Sequence, residues 1–183
     1  VIAEAAKETG ALTIAVVTKP FSFEGVQRKA IALEALENLR DRVDALIVIP
    51  NDRLLQIIDR KCSLINAFRI VDDILRQGVQ GISDLITNPG IVNVDFADVR
   101  AILQDAGSAL MGIGVASGEN RAMEAARAAI NNPLLEFSID GAKGVLFNVA
   151  GGPDVGMLEI NEAANIITEN IDPNAKVIFG TSI

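Results

Sequence analysis

The sequence has no histidine, no tryptophan and no tyrosine, and a single cysteine. Without histidine there is no imidazole general base, no Ser/His/Asp triad and no His-ligated metal site. With Cys62 alone, an internal disulfide and a cysteine-cluster zinc site are both excluded. As an ordinary small residue near a helix start, Cys62 fits a reduced, intracellular setting. Aromatic residues make up 4% of the chain, too few for the stacking platforms that bind single-stranded nucleic acid. Basic residues are outnumbered 16 to 24, giving a net charge of -8, which argues against nonspecific binding to nucleic acid or anionic lipid. No apolar run approaches a membrane span. Glu4, Lys7 and Glu8 interrupt the N-terminal apolar run, so no signal peptide is visible. There is no initiator Met and no N-cap ahead of the first helix, so the chain is expected to begin inside an element.

What is present is a large apolar fraction, 50% of 183 residues, enough for one domain or two small ones. Residues 1–10 read as the last turns of a helix ending at Gly10. "ALTIAVVT" and "DALIVIP" are short, β-branched apolar runs of the kind found in buried parallel strands. Between them "KPFSFEG" reads as a turn and "VQRKAIALEALENLRDRV" as an amphipathic helix, apolar at Ala32, Leu36 and Leu39. "NDRLLQIIDR" reads as a short helix capped by Asn51 or Asp52. Strand, helix, strand, helix predicts a parallel α/β sheet. In such sheets ligands bind beyond the carboxyl ends of the strands, here "TKPFSFEG" and "PNDR".

Residues 64–86 carry apolar side chains at Leu64, Phe68, Val71, Leu75, Ile82 and Ile86, which predicts one long helix of roughly 35 Å. Asn88-Pro89-Gly90 stops it. Asn93, Asp95 and Asp98 follow, before a helix running to about Leu103. Asp95 and Asp98 have two readings. They can be the N-cap and first-turn acid of that helix, the favoured use on spacing alone. With Asn93 they can also form a polar cluster that orients and polarises a water. The loop by itself does not choose.

The remainder predicts a separate α+β unit. Its strands are the Gly-rich "GSALMGIGVASG", "AKGVLFNVAGG" and "AKVIFGTSI"; its helices are "ENRAMEAARAAINNP" and "MLEINEAANIITENI". The four glycines of "GSALMGIGVASGEN" match neither phosphate-loop nor dinucleotide fingerprints. A strand with close backbone packing accounts for them better.

Taken together, "PFSFEG", "LIVIPNDRLL", "LRQGVQGISDLIT", the Gly90–Asn93–Asp95–Asp98 spacing, "GSALMGIG", "SGENRAMEAARAAINNPLLE" and "NVAGG" resemble, in order and spacing, the FtsZ family of bacterial tubulin-like cell-division GTPases. The resemblance runs over essentially the whole chain. It implies a tubulin/FtsZ-like α/β fold: part of a parallel-sheet GTPase domain over 1–63, a central helix over 64–88, and a C-terminal α+β domain with its preceding loop over 89–183. The family's phosphate loop, GGGTGTG, and its last C-terminal strand have no counterpart here, so the isolated chain is expected to be inactive and to bind GTP weakly.

The resemblance further implies GTP/GDP as ligand, with Mg2+ bound through the nucleotide and no protein metal site. Glu24 and Arg28 would contact ribose and phosphate, Asn51 would lie near ribose and base, Phe68 would pack on guanine and Asp72 would accept from it. Asn93, Asp95 and Asp98 would be catalytic toward the nucleotide of an adjacent subunit. On residues alone, Glu24 and Arg28 read instead as an exposed ion pair and Phe68 as core. The implied partner is the protein itself, as a head-to-tail homopolymer in the cytoplasm at the division site. Other division proteins would bind through segments absent here, and neither nucleic acid nor membrane insertion is expected. An alternative is a non-enzymatic module that caps filaments.

Overall fold

A computed structural model describes residues 1–55, 62–87, 92 and 94–182. The predicted helix stop at Asn88-Pro89-Gly90 and the end of the closing strand at Ile183 lie outside the described residues. The described chain forms two compact units, Val1–Val79 with Leu103–Met111, and Gln80–Ile102 with Gly112–Ile183.

In the first unit, helix α1 (Ile2–Glu8) leads into strand β1 (Ile14–Lys19), a 3₁₀ turn (Ser22–Glu24) and helix α2 (Val26–Arg40). Strand β2 (Ala45–Pro50) and the short helix α3 (Asn51–Leu54) follow. β1 pairs with β2 in parallel, from Ile14↔Ala45 to Lys19↔Pro50. The apolar run of β2 is explained by its place: it is the central strand, with Ala45, Leu46, Ile47 and Ile49 buried. Its other neighbour is β3 (Gly107–Ala109), also parallel. This corrects the sequence expectation, which grouped that strand with the later ones. A strand buried on both faces marks the middle of its sheet, with a neighbour at each edge, and local sequence does not say which distant segment supplies the second.

Helix α2 keeps Ala32, Leu36 and Leu39 half-buried, the face the sequence predicts. Its apolar residues are not confined to that stripe, since Val26, Ile31 and Leu33 are exposed. The long helix α4 spans Leu64–Thr87, as expected. Its buried face starts one position earlier than the pattern suggested: Ala67, Val71, Ile74 and Gly78 are buried, while Phe68 and Ile86 are exposed. Gly78 allows close approach, because a Cβ there would stand 2.8 Å from the terminal methyl of Met111.

The second unit holds helix α5 (Phe96–Leu103, whose last residue joins the first unit), α6 (Arg121–Ile130), α7 (Met157–Thr168) and strands β4 (Gly144–Ala150) and β5 (Lys176–Ser182). β4 and β5 pair in parallel, from Gly144↔Lys176 to Ala150↔Ser182. Ala126, Ala163 and Ile167 form its core, with Val145 and Phe147 of β4 packed against them. The Gly-rich segment is a strand only at its start. Beyond Ala109 its backbone lies against α6 instead. A Cβ at Gly112 would stand 2.1 Å from the Ala129 carbonyl oxygen, and one at Gly114 1.9 Å from that of Ala125. The close backbone packing expected of these glycines is therefore present, with a helix as the neighbour. Asn132, just past α6, fixes the approach by donating to the Ile113 carbonyl at 2.6 Å.

Candidate functional site

The carboxyl ends of β1 and β2 are adjacent in the sheet, with Lys19 opposite Pro50. Each strand runs directly into a tight turn. After β1 comes the 3₁₀ turn, and the Glu24 carboxylate closes it by accepting the Phe21 N–H at 2.8 Å. The other Glu24 oxygen lies 3.0 Å from Arg28 Nε, one turn into α2. Glu24 is largely shielded and Arg28 is 72% exposed, so the guanidinium faces solvent while its partner is held in place. The exposed-pair reading of these two residues is thus half met: the pair exists, but its acid is built into the turn.

After β2, Asn51 is the first residue of α3 and is 6% exposed. Its Oδ1 is buried with no hydrogen-bond partner, an uncompensated acceptor of a kind native interiors rarely keep without reason. Neither Asn51 nor Asp52 caps α3 through its side chain; the N-cap is Pro50. This corrects the expected cap. The Asp52 carboxylate reaches across to the other turn instead, accepting the Ser22 N–H at 2.8 Å and the Ser22 hydroxyl. Ser22's hydroxyl first and its N–H second hold the Asp52 carboxyl below the usual aspartate range; Lys29 adds a smaller pull, against partial burial.

Aromatic rings back this cluster. Phe21 is fully buried and stacks on Phe23 at 4.9 Å between ring centres. Phe68 meets Phe21 edge-on at 5.8 Å. Phe68 therefore does not sit in the core, as its spacing alone suggested; it is 44% exposed and offers ring surface beside the strand ends. Asp72 lies one turn further along α4 on the same side and is exposed. Its neighbour Asp73 is engaged within α4 by Arg76 and Gln77. The structure thus places Glu24, Arg28, Asn51 and Phe68 around two linked turns, with Asp72 on the same helix as Phe68. Sequence reasoning missed Ser22, Phe21 and Phe23 and misassigned Asp52. The Ser22–Asp52 link spans 30 residues and leaves no local trace.

The loop after α4 is described at Val92, Val94 and Asp95; Asn93 lies outside the described residues. Asp95 is exposed and caps α5. Its Oδ1 accepts the Ala97 N–H at 3.1 Å, and its carbonyl accepts from Asp98 and Val99. This is N-cap geometry: the side chain takes one orphan donor while the main chain starts the helix. Asp98 stands exposed in the first turn, and Val99 is fully buried as the anchor of α5. Val92 is fixed from β5. Its N–H donates to the buried Thr181 hydroxyl at 2.8 Å, and the Thr181 N–H donates back to its carbonyl at 3.1 Å. Gly180 leaves room for Leu85 and Val94, since a Cβ would come within 2.9 Å of both side chains. Capping leaves one Asp95 carboxylate oxygen without an assigned helical role, so cap and water-orienting group are compatible.

Among the described residues no cluster of three or more His, Cys, Asp or Glu could hold a metal ion, and no helix is long and apolar enough to cross a membrane.

Residues 1–59 match the Tubulin/FtsZ family, GTPase domain, and residues 107–183 match the FtsZ family, C-terminal domain. Among solved structures, the empty FtsZ dimer of M. jannaschii is 44% identical with a TM-score of 0.94, covering 100% of this chain and 53% of that one. A mutant form of the same protein gives the same identity and TM-score, with 55% of its chain covered. The GDP-bound CetZ1 monomer of Haloferax volcanii shares the fold at 24% identity and TM-score 0.75, over 99% of this chain and 54% of that one. The chain spans about half the length of the solved structures it matches.

Proposed function

Because the chain belongs to the Tubulin/FtsZ family, we propose that it carries the base and sugar side of a GTP site and, on the loop after α4, the residues that trigger hydrolysis on a neighbouring copy. The observation that carries this reading is the buried, unpartnered Oδ1 of Asn51 beside two linked turns at the strand ends. An acceptor left dry and unpaired is destabilising until a donor arrives. A ribose hydroxyl is such a donor. Glu24, held by the Phe21 N–H, can accept a second ribose hydroxyl, and the exposed Arg28 guanidinium suits a phosphate. Phe68 offers a ring for the base. Asp72 can accept from the N1–H and amino group of guanine together; adenine has no such donor pair on that edge, so the carboxylate selects guanine. Mg2+ would enter on the phosphate oxygens.

Asn93, Asp95 and Asp98 take the catalytic role in this reading. A carboxylate beside the γ-phosphate orients the attacking water. The family resemblance implies that this loop is supplied by the next copy. Hydrolysis then accompanies head-to-tail assembly, and the protein acts as a cytoskeletal GTPase of the cell-division ring in the cytoplasm. The M. jannaschii relative was solved as a dimer, which supports self-association.

The test is a chimera that completes this chain with the part of M. jannaschii FtsZ it does not span. Phosphate release from GTP per protomer is expected to rise steeply with protein concentration and to be absent with ATP. Hydrolysis per protomer that is independent of concentration would overturn the shared site. Equal turnover of ATP would overturn the guanine assignment.

A further inference from the structure

Pairing between β1 and β2 ends at Lys19↔Pro50. Beyond it the sheet no longer fixes the distance between the two turns. Asp52 takes over that role. Its two carboxylate oxygens receive the Ser22 N–H at 2.8 Å and the Ser22 hydroxyl, a bidentate arrangement that sets direction as well as distance. Asp52 is the direct neighbour of Asn51, and Ser22 opens the turn that ends in Glu24. Glu24 is in turn locked to Phe21 and Arg28. A continuous chain of contacts therefore runs from Asn51 to Arg28. Asp52 does not cap its own four-residue helix; its carboxylate serves the opposite turn instead. Ser22 is exposed and Asp52 only half-buried, so the contact adds little core and mainly fixes geometry.

We propose that Asp52 and Ser22 are positioning residues: they clasp the two turns at the separation that lets Asn51 and the Glu24–Arg28 pair bind the sugar of one nucleoside. This rests on the nucleotide reading above. Neither residue touches the ligand. The base-facing Phe68 and Asp72 belong to α4 and do not depend on the clasp for their spacing along that helix.

That difference supplies the test. The chain is titrated by NMR with guanosine and with 9-ethylguanine, which keeps the base and lacks the sugar. In Asp52→Ala, guanosine affinity is expected to fall about tenfold, as for loss of charge-assisted hydrogen bonds, while 9-ethylguanine affinity stays within about twofold. Ser22→Ala is the milder variant, expected to fall about threefold because the N–H bond survives. Ser22→Thr, which keeps the hydroxyl, is expected to match the parent. If Asp52→Ala binds guanosine as tightly as the parent, or loses both ligands equally, the positioning role is overturned while the nucleotide reading stands. If the parent prefers guanosine over neither adenosine nor 9-ethylguanine, the nucleotide reading fails and the clasp's role with it. Should Asp52→Ala not fold, an unchanged guanosine affinity in Ser22→Ala would by itself refute the proposal.

Discussion

Asp95 can be made to reveal whether it is a helix cap, a water-orienting carboxylate or both. The structure fixes the cap term. One side-chain oxygen accepts the Ala97 N–H at 3.1 Å, at an exposed helix start. Replacing such a cap by Ala costs about 1 kcal/mol, and the lost negative charge near the helix N-terminus adds about 0.3–1 kcal/mol. For a protein of this size each kcal/mol lowers Tm by about 2–4 °C. Asp95→Ala should therefore melt about 3–8 °C below the parent. Asn and Ser cap about as well as Asp, so Asp95→Asn and Asp95→Ser should lose only the charge contribution, about 1–4 °C. Chemistry divides the variants differently. Neither an amide nor a hydroxyl can replace a carboxylate that polarises water, and loss of such a group lowers rate about 10²–10⁴-fold. Thermal unfolding by circular dichroism, and phosphate release by the completed chimera above its assembly concentration, give the two readouts. All three variants should bind GTP like the parent, and all three should lose hydrolysis. Hydrolysis at the parent rate in Asp95→Asn would refute the catalytic assignment and leave Asp95 a cap alone.

Asn51→Leu removes the unpartnered buried oxygen while keeping the same branched side-chain outline. Without ligand it should be as stable as the parent or more so, yet bind guanosine about tenfold more weakly; calorimetric melting and titration report the two, and an Asn51→Leu that binds normally would remove the central observation behind the nucleotide site. Thr181→Val deletes the acceptor for the Val92 N–H and should destabilise the chain by about 1–3 kcal/mol, measured by urea unfolding; Thr181→Ser should restore most of it. The Asp52 carboxyl is held below its usual range by Ser22 and, more weakly, by Lys29. A depressed folded-state value means stability that is complete above the ordinary aspartate range and is lost as pH falls through the folded value. Asp52→Asn should therefore flatten the acid limb of the stability curve below about pH 4, where Glu4, Asp73 and Asp154, also depressed by their arginine partners, supply the slope that remains.

The chain's sequence determines its elements because their signals are local. β-branched runs mark β1 and β2, apolar spacing marks α4, and turn residues mark where elements stop. The same local blocks carry the family resemblance, and with it the fold. The tertiary structure decides what lies on the other side of each face. Whether β3 joins β2 or the later strands depends on which edge is free, not on the three residues of β3. Whether Phe68 is core or surface turned on a one-residue shift of the buried stripe of α4. Asn51 and Asp52 both look like helix caps in sequence; only packing buries one without a partner and sends the other to Ser22, 30 residues away. Thr181 and Val92 meet across 89 residues of chain. Backbone propensity and periodicity act over a few residues, whereas hydrogen bonds and ring contacts of this kind exist only once distant elements have packed. The groups that hold a site in shape are therefore the last that a sequence can disclose.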